Sequence, residues 1–145
     1  NTRSRGLGDV YKRQIPAFKD SVEYVTKLNR MGWRFEVISC LDKDKYAQRL
    51  REKNLRHIFG DVFDFIDCAL DFTKGKEQYL LDRYGGKSYY WIEDSVNHAK
   101  SGENVGLKSI LVDHPYNQTW DGMRVNNWKE IFYIIEESRF FIKNK

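Results

Sequence analysis

Two cysteines in 145 residues, Cys40 and Cys68, are too few for a disulfide framework. Both sit in apolar, strand-like runs, so reduced thiols in a cytoplasmic compartment are expected. No apolar run approaches the roughly 20 residues that cross a bilayer, and no charged, apolar and small-residue signal pattern opens the chain. A membrane partner is therefore not expected. Internal repeats and low-complexity stretches are lacking, which leaves an ordinary globular organisation. What is present suffices for a core: 41% of the residues are hydrophobic and 15% aromatic, a composition that folds rather than stays disordered. The length suits one domain.

The net charge of +4 invites a nucleic-acid partner, but the excess is unevenly spread. Residues 1–14 (NTRSRGLGDVYKRQ) carry Arg3, Arg5, Lys12 and Arg13 against Asp9, a net of +3. The remaining 131 residues hold 21 basic and 20 acidic groups. On charge balance the domain is nearly neutral, and a nucleic-acid partner is not expected. Residues 1–14 also show no periodicity. Within them the eleven residues Ser4–Gln14, SRGLGDVYKRQ, resemble the conceptual translation of a transposase sequencing adapter. They are set aside as a non-native, disordered segment, and the native sequence is expected to begin near Ile15, inside a domain occupying residues 15–145.

From Ile15 onward helix and strand patterns alternate, which predicts an α/β fold with a mainly parallel sheet. Pro16 suits a first helical turn, Phe18, Val22, Val25 and Leu28 follow at helical spacing, and Gly32 closes the helix. Arg34–Ser39 reads as a strand, Lys43–Lys53 as a charged helix with Tyr46 and Leu50 inward, and Phe65–Leu70 as a strand. Lys76–Tyr84 reads as a helix stopped by Gly85 and Gly86. Ser88–Ile92, the helix Val96–Glu103, the strand Ser109–Val112 and a long loop Asp113–Asn127 follow. A last helix starts near Trp128, with Trp128, Ile131, Phe132 and Ile135 on one face. Ligand sites in such sheets lie at the carboxyl ends of strands, and polar residues cluster at all four strand exits.

Three of those exits hold residue types that suit phosphate chemistry. Ser39 ends an apolar strand, where a hydroxyl beside backbone N–H groups can hold a phosphoryl oxygen; a turn-forming role is the plainer alternative. Lys74 and Lys76 flank Gly75 before a helix, where a cation adds to an anion site; a solvated surface is the alternative. Glu93 and Asp94 end the strand SYYWI. Mg²⁺ takes oxygen ligands and commonly one or two carboxylates, although Asp94 and Ser95 could equally cap the next helix.

In that order, serine, lysine and acidic pair resemble motifs two, three and four of the haloacid dehalogenase-like hydrolases. IPAFKDSVEYVTKLNRMGWRFEVIS is similar to the family's helix, glycine turn and strand leading into motif two. IEDSVNHAKSGENVGLKSILV is similar to its motif four with the helix, glycine and strand beyond. The resemblance covers nearly all of residues 15–145. It implies a Rossmann-like three-layer sandwich and Mg²⁺-dependent phosphomonoester hydrolysis through an aspartyl-phosphate. It also implies roles. Ser39 holds the phosphoryl group, and Lys76 (with Lys74 the other candidate) stabilises the intermediate. Asp94, with Glu93 beside it, supports the metal. Where the motif often carries a third acid this chain has Asn97, which orients a metal-bound water. The family's DxD nucleophile should lie upstream of Ile15, and nothing there matches it. The first strand, nucleophile and cap are expected upstream of Ile15, and the chain is expected to be inactive alone.

The ending is similar to that of the 5′(3′)-deoxyribonucleotidase branch, which implies a nucleotide or deoxynucleotide monophosphate as substrate. His114, Asn117 and Lys74 are the candidate substrate contacts, with a turn held by asparagine and proline as the alternative for the first two. Two other identities fit the same residues, a nucleic-acid 3′-phosphatase of the polynucleotide kinase type and a non-catalytic binding module of the same fold. A response-regulator receiver accounts poorly for the Glu93–Asp94 pair.

Overall fold

A computed structural model describes residues 19–39, 44–67 and 76–143, with side chains to Ser138. Lys74 and both cysteines lie outside the described residues. The chain divides into two compact units, one formed by residues up to Leu70 together with Phe132–Lys145, the other by Asp71–Ile131. None of the described helices is long and apolar enough to cross a membrane.

The first unit starts with helix α1 (Ser21–Arg30), which buries Val25 and Leu28. Val22, expected on the inner face, is exposed. Just past the helix Gly32 sits at φ +102°, a region that side chains avoid. That turn lets the Trp33 N–H donate to the Leu28 carbonyl at 3.0 Å. Strand β1 (Phe35–Ile38) follows and pairs in parallel with β2 (Phe63–Asp67), with a register shift between Phe35 and Glu36. Between them runs α2 (Lys45–Phe59), started by the Asp44 carboxylate accepting from the Tyr46 N–H at 2.9 Å.

The expected helix over 43–53 is thus longer and differently turned. Starting at Asp44 puts Ala47, Leu50, Arg51, Leu55 and Ile58 on the half-buried face. Tyr46 falls outside that face and is 59% exposed. Helix α5 (Trp128–Lys143) begins in the second unit, and its later part belongs to the first. There the Trp33 indole donates to Glu136 at 3.2 Å and Tyr24 packs on Phe132 with ring centroids 5.5 Å apart.

The second unit contains α3 (Lys76–Tyr84), β3 (Tyr90–Glu93), α4 (Val96–Asn104), β4 (Lys108–Val112), a 3-10 turn at Pro115–Asn117 and β5 (Arg124–Val125). β4 lies between β3 and β5 and is parallel to both. Its residues Ile110, Leu111 and Val112 are buried, as a strand paired on both sides requires. β5 and the 3-10 turn lie inside the expected loop; two residues are too few to show alternation. Among the described residues the strands form two separate sheets, β1–β2 and β3–β4–β5. At the level the structure shows, the protein is a mixed α/β fold with short parallel strands.

Helix α4 is tied to β3 and β4 by side chains of the strands. The Trp91 indole donates to the His98 carbonyl at 3.0 Å, and the Ser109 hydroxyl to the Ala99 carbonyl at 2.7 Å. The approach is close enough to require glycine at 102, where a Cβ would stand 2.3 Å from Trp91 Cδ1 and 2.9 Å from Ser109 Oγ. Gly102→Ala is therefore expected to destabilise the protein by ~1–3 kcal/mol through overpacking, read as a lower denaturant midpoint. An unchanged midpoint would show that α4 shifts freely on the sheet.

Candidate functional site

The site is built at the carboxyl ends of β3 and β4. Lys76, the first residue of α3, is withdrawn from water, as is Glu93, the last residue of β3; their side chains are 6% and 10% exposed. The Lys76 Nζ donates to Glu93 Oε1 at 2.9 Å, contacts His98 Nδ1 at 3.2 Å, and lies over the Trp91 ring 5.0 Å from its centroid. The other carboxylate oxygen, Glu93 Oε2, accepts from the backbone N–H groups of Asp94 and Ser95 at 3.1 and 3.3 Å. Both glutamate oxygens are thus engaged.

Burial alone would push the Glu93 carboxyl up. His98 and Lys76 outweigh that and hold it at about 2. His98 Nδ1 cannot accept from Lys76 and donate to Glu93 at once. The 3.2 Å contact to Lys76 is shorter than the 3.6 Å separation from Glu93 Oε1.

Asp94 follows directly. The question of whether it caps α4 is answered by Ser95, whose Oγ accepts from the His98 N–H at 3.4 Å. Asp94 instead turns towards the loop after β4. Its Oδ2 accepts from the Tyr116 hydroxyl at 2.5 Å and its backbone carbonyl from Asn117 Nδ2 at 2.8 Å. Burial first, and then the bond to Asp94, push the Tyr116 hydroxyl well above its usual range, so it remains a donor.

Asn117 is 0% exposed and its amide is fully used. Nδ2 donates to the Asp94 and Val112 carbonyls, and Oδ1 accepts from the His114 N–H at 3.0 Å and from Arg124 Nη1 at 2.8 Å. Arg124 also donates to Asp113 Oδ1 and to the carbonyls of Asn117 and Trp120. Hydrogen bonding from Gln118 and Arg124 keeps the Asp113 carboxyl low despite its partial desolvation.

The second unit therefore brings together Lys76, Glu93, Asp94, His114 and Asn117. Asn97 is exposed on the first turn of α4. Ser39 belongs to the first unit, where it follows β1 and its N–H donates to the Asp67 carbonyl at 2.8 Å. Two of the expected site residues are engaged within the protein. Glu93, expected as a metal ligand, has both oxygens committed to Lys76 and the turn amides. Asn117, expected as a substrate contact, has no donor or acceptor to spare and holds the loop in place. His114 is half-buried and stacks on Tyr116, with centroids 4.9 Å apart and planes 9° from parallel.

The roles of His98, Tyr116 and Arg124 were not read from the sequence. His98 carried a signal, standing three residues after the capping Ser95 and so facing back to the strand end. Tyr116 and Arg124 carried none, because their partners depend on how the loop folds.

Among the described residues no group of three or more His, Cys, Asp or Glu side chains gathers to hold a metal ion. What fits is a cation bound through one protein carboxylate, Asp94, with water and a phosphate supplying the remaining oxygens, a common arrangement for Mg²⁺. The chain matches no family model, no curated protein and no solved structure.

The depressed Glu93 carboxyl has a consequence for stability. Its folded-state value of about 2 lies below the ordinary 4.5, so its contribution is complete above about pH 4.5 and is lost as pH falls through about 2. Glu93→Gln is expected to cost about 3 kcal/mol at pH 7. In denaturation curves taken from pH 7 to pH 2 the gap between the two proteins should close. A gap that stays constant would show that the carboxylate charge contributes nothing.

Proposed function

We propose that this chain carries the lysine and acid half of a Mg²⁺-dependent phosphomonoester hydrolase of the haloacid dehalogenase-like type, acting through an aspartyl-phosphate on a nucleotide or deoxynucleotide monophosphate. The observation that carries it is the buried Lys76–Glu93 ion pair set immediately before Asp94 at the end of a parallel strand. Phosphoryl transfer needs positive charge held where the phosphate's negative charge develops, in surroundings that exclude water. Lys76 is suited to this. Its ammonium has three donors, of which Glu93 and His98 take two, leaving one for a phosphoryl oxygen.

On this reading Glu93 is the positioning residue that keeps Lys76 aimed. Asp94 would hold Mg²⁺, which offsets charge between nucleophile and phosphate when bound. Tyr116 fixes the Asp94 carboxylate in one orientation. The domain is then the Rossmann-like core of that family, with its first strand, nucleophile and cap upstream of Ile15.

The test is turnover of para-nitrophenyl phosphate and deoxynucleoside monophosphates by the protein carrying its native sequence upstream of Ile15. Hydrolysis should require Mg²⁺, and Asp94→Asn, nearly isosteric, should lower kcat by ~10²–10³-fold. Residues 15–145 alone should show no turnover above blank. Hydrolysis that survives chelation, or that Asp94→Asn leaves unchanged, would remove the phosphohydrolase assignment.

A further inference from the structure

The near-neutral charge of residues 15–145 conceals a strongly one-sided distribution. Helix α2 alone carries Lys45, Arg49, Arg51, Lys53 and Arg56 against Glu52, a net of +4. Lys45, Arg49, Lys53 and His57 recur at every fourth residue and all four are exposed, so they form one stripe along the outer face. Arg56 flanks the stripe and shares its charge with Glu52, 3.4 Å away. Arg51 points to the half-buried side.

The single acid of α2, Glu52, pairs with Arg56. Like charges four residues apart repel across each turn. Lys45 also stands in a first turn that holds no acidic residue, where the helix dipole is already positive. A helix arranged in this way is stabilised by an anion laid along it.

We propose that the outer face of α2 binds the phosphate backbone of a nucleic acid. The stripe runs from Lys45 to His57, about 18 Å of helix with neighbouring cations about 6 Å apart along the axis, long enough to face about three to four backbone phosphates. Tyr46, 59% exposed between Lys45 and Arg49, offers a ring on which an unpaired base can stack. A protein partner would call for an apolar patch at the centre of the contact, and a membrane surface for an apolar helix face. Among the described residues Tyr46 is the only large apolar side chain that α2 exposes, so a linear polyanion is the better match. Phosphate contacts of this kind give affinity without sequence preference. The proposal stands apart from the phosphohydrolase assignment and would survive its failure.

Fluorescence anisotropy with labelled 20-nucleotide single-stranded and duplex DNA, titrated with the full chain between 50 and 200 mM NaCl, provides the test. With three to four phosphates neutralised, affinity for the duplex should fall on the order of 50-fold over that range. Replacing two stripe cations, Arg49→Gln with Lys53→Gln, should weaken binding and reduce the logarithmic salt slope by about two. It should leave thermal stability unchanged or raised, since repulsion is relieved. Lys19→Gln with Lys100→Gln removes the same charge elsewhere and should change affinity by no more than about twofold. Three results would overturn the proposal. One is no binding at 50 mM salt, and another is equal weakening by both double variants. The third is equally tight capture by anionic phospholipid vesicles or polyglutamate with the same dependence on Arg49 and Lys53.

Discussion

A lysine ammonium and a glutamate carboxylate held 2.9 Å apart, both nearly withdrawn from water, set the geometry of the second unit's strand exit. Removing two charges from water costs several kcal/mol each after relaxation. The pair recovers this through further contacts: Oε2 accepts from two turn amides, and Nζ meets His98 as well as Oε1. The consequence is positional. The start of α3, the end of β3 and the turn into α4 are fixed to one another through a single side-chain contact. An apolar pair of equal volume would fasten α3 to β3 without that desolvation cost. What the ion pair supplies at this location is therefore fixed position more than stability.

Asp94 stands between two polar networks. On one side its N–H donates to Glu93; on the other its carbonyl and carboxylate are held by Asn117 and Tyr116. Asn117 is itself held by Arg124, whose bonds to Asp113 and to two carbonyls close the loop after β4 onto β5. A half-filled network of this kind would cost more than an apolar core, because each unpaired buried group keeps its desolvation penalty. Full satisfaction gives the opposite result, one well-defined orientation for a carboxylate that is only partly buried. Such preorganisation is what binding a cation through one acidic group needs.

How much of this was legible in the sequence follows from the range of each interaction. The helices α1, α3, α4 and α5 and the strands β1, β3 and β4 were readable, because their signals are local: periodic apolar residues, glycine stops and turn chemistry. The acidic pair at the end of β3 and the lysine at the start of α3 were legible as residue types at strand exits. Their mutual engagement was not, since seventeen residues separate them and nothing local reports the distance. The same limit applies to the internal bonds of Glu93 and Asn117. Glu93 looked like a ligand because a carboxylate beside another suggests a cation, yet its oxygens are taken by Lys76 and two amides. Asn117 looked like a substrate contact because polar loop residues often are, yet folding buries it completely. The two-residue β5 was invisible because it is held by β4, through Leu111 and Val112, rather than by any pattern of its own.

Charge is the case in which composition misleads most, and the reason is screening. At physiological salt a charge is felt over about 8 Å. Cations scattered among anions on different elements cancel within that distance, and a sum over the chain describes them well. Cations four residues apart on one helix face are about 6 Å apart along its axis, inside the screening length, so they add instead of cancelling. Residues 15–145 hold 21 basic and 20 acidic groups, yet the helix from Lys45 to Phe59 holds five of the first and one of the second. The remainder is correspondingly acidic. A neutral total is therefore compatible with a face that attracts a polyanion, and what decides it is the helical period of the cations, which was present in the sequence before any fold was known.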